Sequence, residues 1–267
     1  MPLSVCATPI GNLEDVTLRV LAALAAADVV LCEDTRRTRI LLDRHGIRAR
    51  LASYHAHNEA KRTAEVVPRL EAGETIALVS DAGLPGISDP GIRLIAVARD
   101  KGLPVTVLPG PSAIETALVS SGFDYERFQF FGYLPRGERA LVTVWDELAR
   151  WPHAAVAFES PQRLPATLRS LAGALPDRTI AVCRELTKAF EEVVRGTAQE
   201  VATSFASPPK GEITLVIGPA SPHSISEQAG LETVAELVDA GVQRRRAAEI
   251  VSRLTGLSRN RLYEGSL

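Results

Sequence analysis

Short apolar runs closed by glycine or proline alternate along this chain with segments whose apolar residues return every three or four positions, the signature of buried strands alternating with amphipathic helices. Leu3 to Thr8 reads as a first buried strand, Pro9, Gly11 and Asn12 as a turn, and Thr17 to Ala26 as a helix feeding a second strand, Val29 to Cys32. Thr35 is read as the cap of a helix carrying Ile40, Leu41 and Leu42 and stopped by Gly46. The polar stretch from Ser53 to Glu59 leads into a helix ending near Gly73, followed by the strand run Thr75 to Val79, a helix from Arg93 to Lys101 and a strand from Val105. This rhythm predicts a mostly parallel sheet with helices on its faces, ending near residue 113. A crossing strand is expected within Phe123 to Pro135, and strand runs at Ala154 to Phe158, Thr179 to Cys183, Glu192 to Val194 and Ile213 to Ile217 form a second α/β layer to about residue 220. Helices from Pro161 to Ala172 and Thr197 to Phe205 separate them, with Ser160 read as a cap. A loop from Pro219 to Ser226 then precedes a helical tail within 221–267, punctuated by Gly241 and Gly256. The expected organisation is thus 1–113, 114–220 and 221–267.

Two strand ends stand out. The first strand-to-loop junction, Ser80 to Gly91, packs three glycines, two prolines, two aspartates and two serines into twelve residues, and delivers a bent polar loop to the carboxyl edge of the sheet, where open α/β folds hold their ligands. In the second, Pro109-Gly110-Pro111-Ser112-Ala113 opens a helix through Ser120, with Ser112 placed to cap it and backbone N–H groups placed to face a polar ligand. Both point to one crevice.

Composition narrows the class without naming a chemistry. The chain is 46% hydrophobic and 23% charged with a net charge of −2, which describes an ordinary globular protein and argues against a generally basic polyanion binder. No run is apolar enough to predict a membrane span, and the amino terminus reads as a strand without the basic region of a signal peptide, so a cytoplasmic protein is expected. Cys6, Cys32 and Cys183 sit singly in apolar runs, which suits reduced core thiols and offers no metal set.

Local charge is more telling. Arg36, Arg37, Arg39, Arg44, Arg48 and Arg50 place six guanidinium groups in fifteen residues just after Glu33 and Asp34; they form either a field for RNA phosphates or a solvated helix face paired to nearby acids. The tail arginines from Arg244 to Arg261 leave the same two readings open. His55 and His57, with Tyr54, Asn58 and Glu59, form a polar cluster suited to a general base or to loop hydrogen bonding. A dinucleotide fold is disfavoured: Ala7 to Asn12 holds one glycine and a proline where that fingerprint needs three glycines. No P-loop, HExxH or GxSxG is present.

Eight motifs occur in order: Thr8-Pro9-Ile10-Gly11-Asn12-Leu13-Glu14-Asp15, Glu33-Asp34-Thr35-Arg36, His57-Asn58-Glu59, Ser80-Asp81-Ala82-Gly83, Ser88-Asp89-Pro90-Gly91, Pro109-Gly110-Pro111-Ser112-Ala113, Arg184-Glu185-Leu186-Thr187-Lys188 and Lys210-Gly211-Glu212. Together, across about residues 3 to 218, they resemble the ribosomal RNA small subunit methyltransferase I family of the tetrapyrrole methylase superfamily. The resemblance implies two α/β domains with S-adenosylmethionine in the cleft between them, a homodimer, and 2′-O-methylation of a cytidine in the decoding region of 16S ribosomal RNA on the 30S subunit; the small helical tail lies beyond it. It places Ile10, Asp81, Gly83, Ile87, Ser112 and Ala113 at the cofactor, with Phe158 and Thr214 closing from the second domain. Glu33, Asp34, His57 and Glu59 are the catalytic candidates, none singled out as the base, and Arg36, Arg37 and Arg39 the RNA contacts. No metal is implied. Leu84 departs from the family, which usually has threonine there. A small-molecule tetrapyrrole-type methylase and a non-catalytic RNA-binding or ribosome-assembly protein are the competing readings.

Overall fold

The computed structural model describes residues 2–220, 227–255 and 257–266. The first layer is a parallel sheet of β1 (Leu3–Cys6), β2 (Val29–Cys32), β3 (Leu51–Ser53), β4 (Ile76–Val79) and β5 (Val105–Leu108), in the order β3-β2-β4-β1-β5. Crossover helices α1 (Leu18–Ala26), α2 (Thr35–Arg44), α3 (Glu59–Glu71) and α4 (Ile92–Asp100) cover it. β1, β2 and β4 are buried at every position, which is why they read as unbroken apolar runs rather than as alternating ones.

Register decides where the loops emerge. Cys6 pairs with Val79 on one side and Leu108 on the other, while Leu31 pairs with Leu78. The carboxyl ends of four neighbouring strands therefore stop level, and the segments starting at residues 7, 33, 80 and 109 rise side by side. Thr8 and Gly83 then join two of these loops by reciprocal hydrogen bonds, Thr8 N–H to the Gly83 carbonyl at 2.8 Å and Gly83 N–H to the Thr8 carbonyl at 3.0 Å.

The next helix, α5 (Ala113–Ser121), changes layer: Ile114, Ala117 and Leu118 pack with Ala154, Val156, Ala181, Cys183 and Val216 of the second sheet. That sheet contains β6 (Phe128–Tyr133), β7 (Ala154–Glu159), β8 (Thr179–Arg184), β9 (Glu192–Thr197) and β10 (Ile213–Ile217), ordered β6-β7-β10-β8-β9. Only the β6–β7 pair is parallel. Its other face buries α6 (Glu138–Arg150), α7 (Leu164–Ala174) and α8 (Ala198–Ser204), with Trp145, Leu148, Leu168 and Leu171 at the core. The tail helices α9 (Glu227–Asp239), α10 (Arg244–Thr255) and α11 (Arg259–Gly265) enclose their own small core of Val234, Ala247, Ala248, Val251 and Leu262. Residues 221–226 of the expected Pro219–Ser226 loop, and Gly256, lie outside the described residues. No described helix is long and apolar enough to cross a membrane.

The sequence reading changes at five places. β3, only three residues long and half-buried throughout, is absent from it. So is α6, although Leu141, Trp145 and Leu148 mark its buried stripe. The cap of α2 is Asp34 rather than Thr35, because Asp34 keeps extended backbone and its carboxylate accepts the Arg36 N–H, while Thr35 is already helical. Ser112 holds the cap position of α5, but its hydroxyl donates to the Glu115 carboxylate and accepts no backbone N–H. Ser160 does not cap α7: residues 161–163 form a turn, and the helix starts at Leu164, where Pro165 occupies the first turn that tolerates it.

The two layers meet tightly beside Gly11. A Cβ added there would lie 2.6 Å from the Leu186 carbonyl oxygen and 2.7 Å from the Thr187 hydroxyl, and the adjacent Asn12 N–H donates to that hydroxyl at 3.0 Å. The Gly11→Ala variant should therefore unfold about 1–3 kcal/mol more easily, the usual cost of overpacking, as read from its urea midpoint. A midpoint equal to that of the parent would show that this junction yields freely.

Candidate active site

The level loop ends and the second sheet enclose a cavity of about 420 Å³, within the range of small-molecule sites. The first layer contributes Ile10, Glu33, Arg37, the loop from Asp81 to Leu84 and the stretch from Ile87 to Asp89. The start of α5 adds Ser112 to Ile114, and the second sheet adds Tyr133, Phe158, Cys183, Ile213 and Thr214. All eight residues expected at a cofactor thus line one space, together with Glu33 and Arg37. Asp34, Arg36, Arg39, His57 and Glu59 do not line it.

Each absence has a local cause. The Asp34 carboxylate is bound by its own helix and by Arg36, whose guanidinium donates at 2.7 and 3.0 Å; these hydrogen bonds hold the carboxyl well below the usual range, so Asp34 is a poor proton acceptor. Arg39 donates to the Ala49 carbonyl at 3.3 Å. His57 is exposed, its ring 6.0 Å from that of His55. Glu59 is turned to the loop rather than the cavity: its Oε1 accepts the Gly91 N–H at 2.9 Å and the Tyr54 hydroxyl at 3.3 Å. Gly91 has φ of +136°, a conformation that needs glycine, and an added Cβ would crowd Leu78 and Pro85. Glu59 therefore positions the end of the Ser80–Gly91 loop.

The acids inside the cavity interact. Asp81 N–H approaches Glu33 Oε1 at 3.4 Å, the Asp81 carboxylate accepts the Asp34 N–H at 3.0 Å, and Arg37 lies 3.5 Å from it. Burial, first of all, pushes the Glu33 carboxyl up. Burial followed by the charge of Glu33 pushes Asp89 up to about 7, against a partial opposing effect of its hydrogen bond with Ser80. Asp89 lies within a motif read from the sequence yet is absent from the expected catalytic set. Its only sequence signal is a carboxylate in the same glycine-rich loop as Asp81. Tyr133 is likewise absent from the expected site: β6 shifts register between Phe130 and Tyr133, with Gly132 at φ +65°, and the irregularity sets the Tyr133 ring 5.5 Å from that of Phe158 at the cavity wall. Leu84 lines the cavity and also packs on the first layer's core, an apolar role that a threonine hydroxyl would not fill. Burial pushes the Cys183 thiol on the wall up to about 12, so it is no nucleophile. Among the described residues, no cluster of three or more His, Cys, Asp or Glu side chains is placed to hold a metal.

The family model for Tetrapyrrole (Corrin/Porphyrin) Methylases matches residues 2–202. A Mesorhizobium japonicum protein named Ribosomal RNA small subunit methyltransferase I is 43% identical, over 98% of this chain and 90% of its own length. The chain belongs to the ribosomal RNA small subunit methyltransferase I family of tetrapyrrole methylases. Relatives of the same name from Mycobacterium tuberculosis (44% identical, over 98% of this chain and 93% of theirs) and Synechocystis (41%, over 99% and 97%) extend the match. Solved structures share the fold of this methylase at low identity. The methyltransferase CobJ aligns with a TM-score of 0.63 and 19% identity, over 82% of this chain and 94% of that one. A Thermus thermophilus uroporphyrin-III C-methyltransferase, solved in complex with S-adenyl homocysteine, gives 0.57 and 18%, over 81% and 96%.

The Asp89 carboxyl, followed by carbon NMR, should titrate near pH 7, and Glu33→Gln should lower that value by removing a like charge. The raised value also carries a sign: the stability associated with Asp89 is complete below its ordinary value of 3.8 and is lost as pH rises through about 7, so Asp89→Asn should flatten the decline of the urea midpoint across that window. Separately, Glu59→Ala should speed amide exchange at Gly91 about tenfold or more, with Glu59→Gln, which keeps an acceptor oxygen, exchanging more slowly than Glu59→Ala. Unchanged exchange would remove Glu59 from loop positioning.

Proposed function

We propose that this methylase transfers the methyl group of S-adenosylmethionine to the ribose 2′-oxygen of a cytidine in the decoding region of 16S ribosomal RNA. The observation that carries the reading is the 41–44% identity, over nearly the whole chain, to proteins named for methylation of small-subunit ribosomal RNA. The large cavity suits S-adenosylmethionine. Its floor of Ile10, Phe158 and Ile213 is apolar, and the first turn of α5 has no side-chain cap, leaving backbone N–H groups beside the cavity for a carboxylate. Gly83, at φ +75°, brings bare backbone to the same wall. When bound, S-adenosylmethionine supplies an electrophilic methyl carbon.

What the chain adds is alignment and a proton acceptor. Asp81, Ser112 and Ala113 hold the cofactor from the first layer and from α5, and Ile87, Phe158 and Thr214 close over it. A ribose hydroxyl is a weak acid, so a carboxylate beside it helps as its proton departs; Glu33 and Asp89 are the two cavity acids whose environment favours the protonated form. Asp89, poised near neutrality, is the better matched. An unstacked nucleotide exposes its 2′-hydroxyl at modest energetic cost in looped RNA.

Small subunits from cells lacking this protein, incubated with it and labelled S-adenosylmethionine, should take up label at one cytidine 2′-oxygen. Absence of transfer to subunits or free RNA despite cofactor binding would overturn the reading, and transfer to a porphyrin precursor would replace it.

A further inference from the structure

A second cavity of about 220 Å³ opens beside the large one, and the two share Ile10, Arg37, Asp81, Ala82 and Glu212. From the shared residues and the small lobe's own lining, we infer that this lobe is the acceptor site, holding one unstacked nucleotide of the RNA with its base on an apolar wall and its phosphate at Arg37. The inference rests on the ribosomal RNA reading above and deepens it.

The small lobe differs in kind from its neighbour. One side is apolar, built by Pro9, Leu13, Ile40 and Leu41. Ile40 is 60% exposed on a helix otherwise rich in arginine, an apolar surface in a polar setting that a flat base would cover. Two cations face this wall. Lys188 is already held by two carboxylates, Glu185 at 2.7 Å and Glu212 at 2.9 Å, so it is bound into the lobe's frame. Arg37 has a single carboxylate contact, Asp81 at 3.5 Å, and is well exposed, which leaves guanidinium donors for a phosphate. An apolar wall, one available cation and a small volume describe a nucleotide. A tetrapyrrole, larger and bearing several carboxylates, would need a wider trough and more cations.

The far wall is rigid, as an acceptor site requires. Glu185 and Thr187 both adopt left-handed backbone, φ +52° and +66°, which costs a residue with a side chain energy that surrounding bonds must repay. Those bonds are present: Thr187 N–H to Glu191 at 2.6 Å, Glu212 N–H to Glu185 at 2.9 Å, and the Thr187 hydroxyl accepting from Asn12 at 3.0 Å. They fix the second layer's loop against Gly11 and close the lobe on that side. The shared residues Ile10 and Asp81 then stand where the acceptor's ribose would meet the large cavity.

The test separates acceptor from cofactor. Ile40 lines only the small lobe, so Ile40→Glu should leave the dissociation constant for S-adenosylmethionine unchanged by calorimetry and raise the KM for unmethylated small subunits about tenfold or more, the loss expected when an apolar contact becomes a charge facing RNA. Arg37→Met should also raise that KM, with its salt dependence reduced by about one charge. Val119→Glu, at another exposed apolar position that lines neither cavity, serves as the control and should match the parent. If the parent methylates subunits and Ile40→Glu keeps the parental KM, the acceptor assignment falls while the ribosomal RNA reading stands. Loss of cofactor binding in Ile40→Glu also overturns it, since the lobes would then serve one ligand. If the parent binds cofactor but methylates no RNA, both fall together.

Discussion

The pair of hydrogen bonds between Thr8 and Gly83 is the constraint on which the rest of the site depends. It joins the loop after β1 to the loop after β4 at the one level where the strand register brings both out of the sheet. Ile10 lies two residues beyond one partner and Asp81 two residues before the other, so a single bridge fixes members of both cavities. The Thr8 hydroxyl reinforces it by donating to the Ser80 carbonyl at 3.0 Å, and the Ser80 hydroxyl donates to the Gly83 carbonyl at 3.2 Å. Gly83 has no substitute without strain, because its φ is +75°. A buried bridge of this kind is preorganisation: the loops are ordered by the fold and not by a ligand, which lowers the entropic cost of binding.

The second layer completes the site by leaning on that frame. α5 starts in the crevice of the first sheet and buries its apolar side against the second, so the helix start that faces the large cavity is anchored in the opposite layer. At the other end, the loop from Arg184 to Lys188 reaches back to Gly11 and Asn12. The cleft is therefore tied on two sides, and the strained backbone at Glu185 and Thr187 sits at one of the ties, a place where strain persists only because several bonds over-determine it.

Much of this was legible from local pattern. The fully buried strands read as apolar runs, and the glycine-rich loops read as strand-end punctuation that points to one crevice. What escaped was either too short or non-local. β3 has three half-buried residues and no run to detect, and α6 carries a periodic stripe that the aromatic segment before it overshadows. The closeness of Asp89 to Glu33 belongs to the second kind: it needs the loops after β2 and β4 to share one edge of the sheet, which no window of sequence contains. Glu59 shows the converse. It sits in a segment whose composition suggests catalysis, yet its carboxylate is already engaged by the backbone of another loop.

The arginine run shows how a chain of net charge −2 can still address a polyanion. Arg36 is paired with Asp34 at the helix cap and Arg44 with Glu14 in the turn after β1, so part of the run is neutralised by neighbouring acids and contributes little at physiological salt. The uncompensated part is local and geometric. Glu33 and Asp89 line only the large cavity, while Asp81 and Arg37 stand at its boundary with the smaller lobe and line both. On the reading proposed above, the sulfonium would lie toward Glu33 and Asp89 and the RNA backbone toward Arg37, with the acceptor hydroxyl between them.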